Sequence, residues 1–363
     1  MIFIAGISIA LFISALLLVK KNKSKSDYFL LVWMLVNAAH LSFHYLFYSD
    51  TLYDYPQVLG IQLPFPLFQG VLLYFYVSSV TDQEPKKNWY YALHLIPAVL
   101  AYLYLIKFFT LPTADKIEVF KMKGGEDHAL FMSLLQLGVF ISGIIYVVWC
   151  SWLLIRHKRN IKSQFSDIEE ISLSWLQFLV YGLGIVWALV IFTQSESLIY
   201  QAVAVFVILI GFFGVQQKNI FNELVVNTES IQVESEETEI KEKYQSSGLK
   251  DENSSIQFQE LTKLMQEEEL YKNASLSLGD LAKRLDLHPN YLSQIINDKG
   301  GKSFYDFVNH YRVDEFKRLI ENKDNEKYTL MTLAFDCGFN SKSSFNRYFK
   351  KMTGQTPSQY AKR

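Results

Sequence analysis

Apolar positions are concentrated in the first three-fifths of this chain, in runs of about twenty residues separated by short polar stretches. The runs fall near residues 1–19, 28–48, 59–80, 90–109, 130–154, 173–192 and 198–215. Each is about as long as a helix needs to cross the roughly 30 Å hydrocarbon core of a bilayer. The third contains Pro64 and Pro66, and the seventh is short. The pattern predicts an all-α fold that begins with a seven-helix transmembrane bundle over residues 1–218. Beyond that point the apolar runs stop. Residues 219–255 are polar, and from 256 onward apolar residues return singly at helical spacing, with turn residues between the groups.

Composition agrees with this division. Half of the 363 residues are hydrophobic, too many for a purely soluble chain of this length. Orientation follows from basic residues in short loops. Lys20, Lys21, Lys23 and Lys25 follow the first span, Lys86 and Lys87 the third, Arg156, Lys158, Arg159 and Lys162 the fifth, and Lys218 the seventh. The opposite loops offer Lys116, Lys121 and Lys123. The expected arrangement is a multi-pass protein of the inner membrane with its C-terminal part in the cytoplasm. The first run lacks the basic start and small-residue cleavage site of a signal peptide, so it is read as a span. The longest external loop, about residues 110–129, is too short for a ligand-binding domain. A signal is therefore expected to enter the bundle, to act through membrane lipid, or to arrive on a partner protein.

The bundle carries no recognisable catalytic motif, and no enzyme activity is expected. His40 and His44 lie four residues apart on the second span, one turn after Asn37, and His94 lies in the fourth. Such a pair suits a metal or haem, and intramembrane polar groups raise a functional hypothesis by default. With no third ligand evident, hydrogen bonding between helices is the plainer expectation, and no metal or cofactor is assigned. The two cysteines, Cys150 and Cys337, fall in different domains and build neither a disulfide framework nor a metal cluster.

Charge is polarised although the total is near zero. Residues 219–276 hold 13 acidic against 5 basic side chains, whereas residues 277–363 hold 15 basic against 10 acidic. Residues 219–255 read as a solvated flexible linker. Thirty or so such residues reach only about 30 Å root-mean-square, and a rigid displacement does not travel along them. Control of the tail is therefore expected through how the bundle presents it, by homodimer geometry or by proteolytic release.

The last stretch is the most specific. Between Cys337 and Tyr360, Gly338 supplies a sharp turn, Phe339 an apolar plug behind it, and Ser341 a cap for the next helix. Phe345 and Phe349 then share one face, while Lys342, Ser343, Asn346 and Arg347 share the other. Gly354 ends that helix, and Thr356 with Pro357 begins another. From Cys337 to Arg363 there are 6 basic residues and no acid, a balance suited to phosphate. The same plan recurs upstream. Ala282 matches Ala334, Asp286 matches Gly338 and Leu287 matches Phe339. With one extra residue in the later copy, Leu292 matches Phe345, Ile296 matches Phe349, Gly301 matches Gly354 and Ser303 matches Thr356. Ser277 and Asp280 read as a capping box at the start of the first copy. Apolar residues from Phe304 to Ile320 keep helical spacing between the copies, as one connecting helix about 27 Å long. The run Gly300-Gly301-Lys302-Ser303 lacks the first glycine of a phosphate loop, since residue 296 is Ile, and reads as a helix stop and a cap.

The later copy, G-F-x-x-x-S-x-F-x-x-x-F-K-x-x-x-G-x-x-P, resembles the second helix-turn-helix of the AraC/XylS family of bacterial transcription regulators. The resemblance covers about the last hundred residues, and Asp286 departs from it where glycine is usual. It implies a DNA-binding domain over residues 256–363, with two helix-turn-helix units that read successive major grooves of double-stranded DNA. Carried over position by position, it implies base-reading roles for Asn290, Ser293 and Gln294 in the first unit and for Lys342, Ser343, Asn346 and Arg347 in the second. The reading from another class is a receptor-like or transporter-like bundle whose tail binds a protein partner.

Overall fold

The computed structural model describes residues 1–122, 124–168, 173–193, 195–216 and 250–361. Most of the expected linker, residues 217–249, lies outside the described residues. Among the described residues the regular structure is helical, with one isolated antiparallel bridge between Phe165 and Ser277. The chain divides into two compact units, Met1–Ile155 with Leu173–Leu224 and Arg156–Ser172 with Val225–Arg363.

The first unit holds α1 (Ile2–Val19), α2 (Lys25–Tyr48), α3 (Phe65–Val80), α4 (Trp89–Phe109), α5 (Thr113–Lys121), most of α6 (Ala129–Gln164), α7 (Ser174–Phe192) and α8 (Glu196–Gln216). Six of these, all but α3 and α5, are long and apolar enough to cross a membrane. The expected third span is realised as the shorter α3, which has 16 residues. Pro64 and Pro66 set its start, where a missing N–H breaks no helical hydrogen bond. Every residue of α3 from Gln69 to Ser78 is buried, as befits a helix that is apolar all round. The six long helices expose apolar side chains, among them Leu93, Ile96, Leu100 and Leu103 of α4 and Leu134, Leu137, Ile141 and Ile144 of α6.

Polar side chains inside this unit tie helices together. Trp33 Nε1 donates to Gln69 Oε1 at 2.8 Å, joining α2 to α3. His40 Nε2 and the Tyr200 hydroxyl lie 2.9 Å apart, and the His44 ring stacks on Tyr200 with centroids 3.6 Å apart. The two histidines thus share one tyrosine of α8.

The second unit has two apolar cores. One is built on α9 (Lys250–Glu267), α10 (Leu278–Arg284), α11 (Pro289–Gly300) and the first half of α12 (Phe304–Glu321), around Leu261, Leu281, Leu292, Ile296, Phe304 and Val308. The other joins the second half of α12 to α13 (Leu330–Asp336), α14 (Lys342–Thr353) and α15 (Pro357–Tyr360), around Phe316, Leu333, Phe339, Phe345 and Phe349. The connecting helix α12 has the 18 residues its spacing predicts. α9 begins earlier than the amphipathic helix expected from residue 256, because Lys250 to Ser255 continue the same helical turn pattern with no breaker between.

α6 belongs to both units. Its 36 residues make it about 54 Å long, well beyond a hydrocarbon core of roughly 30 Å. The segment from Arg156 onward, which carries the basic cluster, falls in the second unit.

α6 and α7 approach closely at Gly143, where an added Cβ would lie 2.2 Å from Cδ2 of Trp187. Gly143→Leu should therefore overpack this crossing and destabilise the first unit by about 1–3 kcal/mol. The expected outcome is a lower midpoint of thermal unfolding in detergent, and an unchanged midpoint would mean that Trp187 has room to turn away.

Candidate nucleic-acid interface

Two turn-and-helix units in the second compact unit repeat one local geometry. In each, a short helix ends in a left-handed residue, Asp286 at φ 52° or Gly338 at φ 94°. The next N–H then reaches back five residues, from Leu287 to Ala282 O at 2.9 Å and from Phe339 to Ala334 O at 3.1 Å. Ala282 and Ala334 are buried, so only a small side chain fits where the two helices of each unit cross. The second helix starts on a side-chain cap. His288 accepts from the N–H of Asn290 for α11, and Ser341 accepts from that of Ser344 for α14. It ends on Gly301 at φ 63° or Gly354 at φ 74°. Ser277 and Asp280 form the expected capping box on α10, and Thr356 with Gln359 forms another on α15.

This geometry decides which side chains face out. Leu292, Ile295 and Ile296 of α11 and Phe345, Tyr348 and Phe349 of α14 are buried. Asn290 and Gln294 are exposed and Ser293 is half-exposed on α11; Lys342, Ser343 and Arg347 are exposed and Asn346 half-exposed on α14. All seven residues named from the sequence thus stand on the outer faces of the two second helices, in their first two turns. Lys350 and Lys351 extend the basic face of α14. Lys351 Nζ is 2.6 Å from Asp306 Oδ1 and so is partly committed within the domain.

The residue that holds the two units together was not evident from spacing. Arg312 of α12 is 1% exposed, and its guanidinium donates to five acceptors. Nε reaches Tyr271 O at 2.7 Å and Nη2 reaches Asn273 O at 2.9 Å, both just ahead of the first unit. Nη1 reaches Asn309 Oδ1 at 3.2 Å and Ser166 O at 3.3 Å, and Nη2 also reaches Ser166 Oγ at 3.1 Å. Burial pulls its pKa down to about 10 against the opposing pull of Asp167, which leaves it charged at neutral pH. One signal for it was available. An arginine on the apolar stripe of an otherwise regular helix has to find buried acceptors. Beside it, Arg318 clasps Glu315 with two bonds of 2.8 and 2.7 Å, which holds the Glu315 carboxyl below its ordinary range.

Residues 281–363 match a family profile described as a helix-turn-helix domain, and this part of the chain is a helix-turn-helix domain of the AraC type. An uncharacterized HTH-type transcriptional regulator of Escherichia coli (strain K12), YijO, is 32% identical over 93 residues, which are 26% of this chain and 31% of that protein. Another from Bacillus subtilis (strain 168), YtdP, is 33% identical over 87 residues, 24% of this chain and 11% of that one. A solved structure of a protein of unknown function from Listeria innocua shares 29% identity and covers 29% of this chain and 94% of its own, at a TM-score of 0.26. The chain thus spans less than a third of the length of these regulators.

Gly338 is fixed twice over. Its φ is left-handed, and an added Cβ would lie 2.4 Å from Tyr271 O and 2.8 Å from Lys272 O. Gly338→Ala should cost at least about 1–3 kcal/mol through backbone strain alone, with the clash added to it. Asp286→Gly, at an exposed left-handed position, should change stability by less than about 1 kcal/mol. Hydrogen exchange of the amides between 330 and 353 in the full chain checks this. Equal protection in the two variants would mean that the 271–272 backbone yields.

Proposed function

We propose that this chain is a membrane-integral bacterial transcription regulator, which binds specific double-stranded DNA through its two helix-turn-helix units. The observation that carries this reading is the pair of outward polar faces on α11 and α14, built on one turn geometry and joined by the 18-residue α12. A connector of about 27 Å suits two readers set near one helical turn of DNA apart. On this reading Asn290, Ser293 and Gln294 enter one major groove and Lys342, Ser343, Asn346 and Arg347 the next. Asn and Gln suit adenine, and Arg and Lys suit guanine. Residues 1–218 are read as the anchoring and sensing domain, surrounded by lipid, and residues 219–255 as a linker to the 256–363 reader. The signal enters the bundle as a ligand or reaches it on a partner protein. The names of the related regulators support the DNA reading for the tail, and the apolar helices support membrane insertion.

Full-length protein in detergent micelles, mixed with sheared genomic DNA, should enrich a discrete operator, and affinity for it should fall steeply with rising salt. Equal retention of every fragment at physiological salt would overturn sequence-specific binding. On that operator Arg347→Ala should lose about 1–3 kcal/mol and relax preference at one base pair. Lys350→Ala should weaken all sequences alike and reduce the salt slope by about one. A uniform loss with Arg347→Ala would make Arg347 a phosphate contact instead.

Topology is checked separately. A reporter fused after Lys218 should be active in the cytoplasm, and one inserted near Gly124 should lie outside. The reverse pattern would mean that one helix, with α3 the first to re-examine, does not cross.

A further inference from the structure

The second unit contains a piece of chain that no helix-turn-helix needs. Residues 161–168, the end of α6 and the turn after it, are seated between the two reading units. Ile161 and Ile168 are buried in the core of the second reader. Ser166, 1% exposed, bonds to the approach of the first. Its N–H donates to Leu276 O at 3.2 Å and its hydroxyl donates to the same carbonyl at 2.6 Å. Phe165 forms the isolated bridge with Ser277, the cap of α10. From α12, Asn309 Nδ2 donates to Ser166 O at 3.0 Å, and Arg312 donates to both Ser166 O and Ser166 Oγ. Asn340 Nδ2, in the turn just ahead of α14, donates to Asp167 Oδ2 at 2.6 Å.

We infer that residues 161–168 are a clamp that sets the spacing and angle between the two recognition helices, so that the segment following the fifth predicted span governs how the reader fits DNA. The inference rests on the DNA reading above. Three facts carry it. The segment bonds to the first reader through Leu276, to the second through Asn340, and to the connecting helix through Asn309 and Arg312. Two of the five acceptors of a buried guanidinium belong to it, so its departure would strand two buried charged donors and force α12 and its neighbours to rearrange. The reading faces of α11 and α14 stay exposed with the segment in place, so its seat is compatible with bound DNA rather than blocking it. Because α6 is one continuous helix from Ala129 to Gln164, the clamp is covalently an extension of a membrane-half helix. That continuity is a covalent route between the two units separate from residues 219–255. Ser166 and Asp167 are positioning residues, since neither is on the reading face.

The test uses full-length protein in micelles and two duplexes, the selected operator and the same operator with one base pair inserted between its two contacted segments. Losing register should remove the second reader's contribution, so the parent protein should prefer the native spacing by at least about tenfold. The combined variant Ser166→Ala, Asp167→Ala, Asn309→Ala should bind both duplexes within about threefold of each other while keeping its affinity for a single half-site. A fold defect would instead lower half-site affinity. As a second arm, Asp167→Cys and Asn340→Cys are joined by a short bismaleimide in a background of Cys150→Ala and Cys337→Ala. The cross-linked protein should keep the parent's spacing preference. A triple variant with the parent's preference, or a cross-linked protein that no longer binds the operator, overturns the clamp alone. A parent protein that retains no duplex overturns the DNA reading, and the clamp with it.

Discussion

A buried guanidinium has five N–H donors in one plane, and around Arg312 the chain supplies their acceptors from three separate places. The carbonyls of Tyr271 and Asn273 come from the approach to the first reader, the amide of Asn309 from the same helix, and the carbonyl and hydroxyl of Ser166 from the end of α6. Its five bonds go to carbonyl, amide and hydroxyl oxygens, so much of its charge is met by dipoles of fixed direction, with Asp167 adding a favourable charge nearby. Dipoles must be aimed, which is why this arginine constrains backbone geometry more than a surface ion pair would. The fork fixes α12 against residues 271–273, and the same stretch leaves no room for a Cβ at Gly338, which would run into Tyr271 O and Lys272 O.

That contact also explains why the two readers use different residues at the same turn. Both need a left-handed residue, and Asp tolerates that conformation better than most. At residue 286 the side chain points into open solvent, so Asp serves. At residue 338 there is no space for any Cβ, so only Gly does. The departure from the family pattern at Asp286 is therefore a matter of surroundings, with the turn itself intact.

The first unit solves the opposite problem. Its outward faces are apolar and its polar groups turn inward, where Trp33 meets Gln69 and both His40 and His44 meet Tyr200. A helix whose whole circumference is apolar, α3, sits inside, and helices with apolar side chains exposed sit around it. Small residues at helix crossings let backbones approach closely, and Gly143 under Trp187 is the tightest of those in this unit.

The sequence by itself determined the elements. Periodicity and length marked the apolar helices, and the paired turn residues, caps and buried alanines of the tail were legible because they are local: each depends on residues within about five positions. The outward placement of Lys342, Ser343, Asn346 and Arg347 followed from the same helical period, and that of Asn290, Ser293 and Gln294 was implied by the family resemblance. What only the tertiary structure decided lies at long range. Ser166 bonds to Leu276, Asn309 and Arg312 across more than a hundred residues, and no period or spacing links them. Spacing could assign residues 161–168 only to the loop between spans, because Arg156, Lys158, Arg159 and Lys162 dominate the start of that loop and the two buried isoleucines do not stand out. Their burial depends on a surface that exists only once both readers are folded on α12. The sequence therefore named the two helix-turn-helix units, and the fold decided what packs between them.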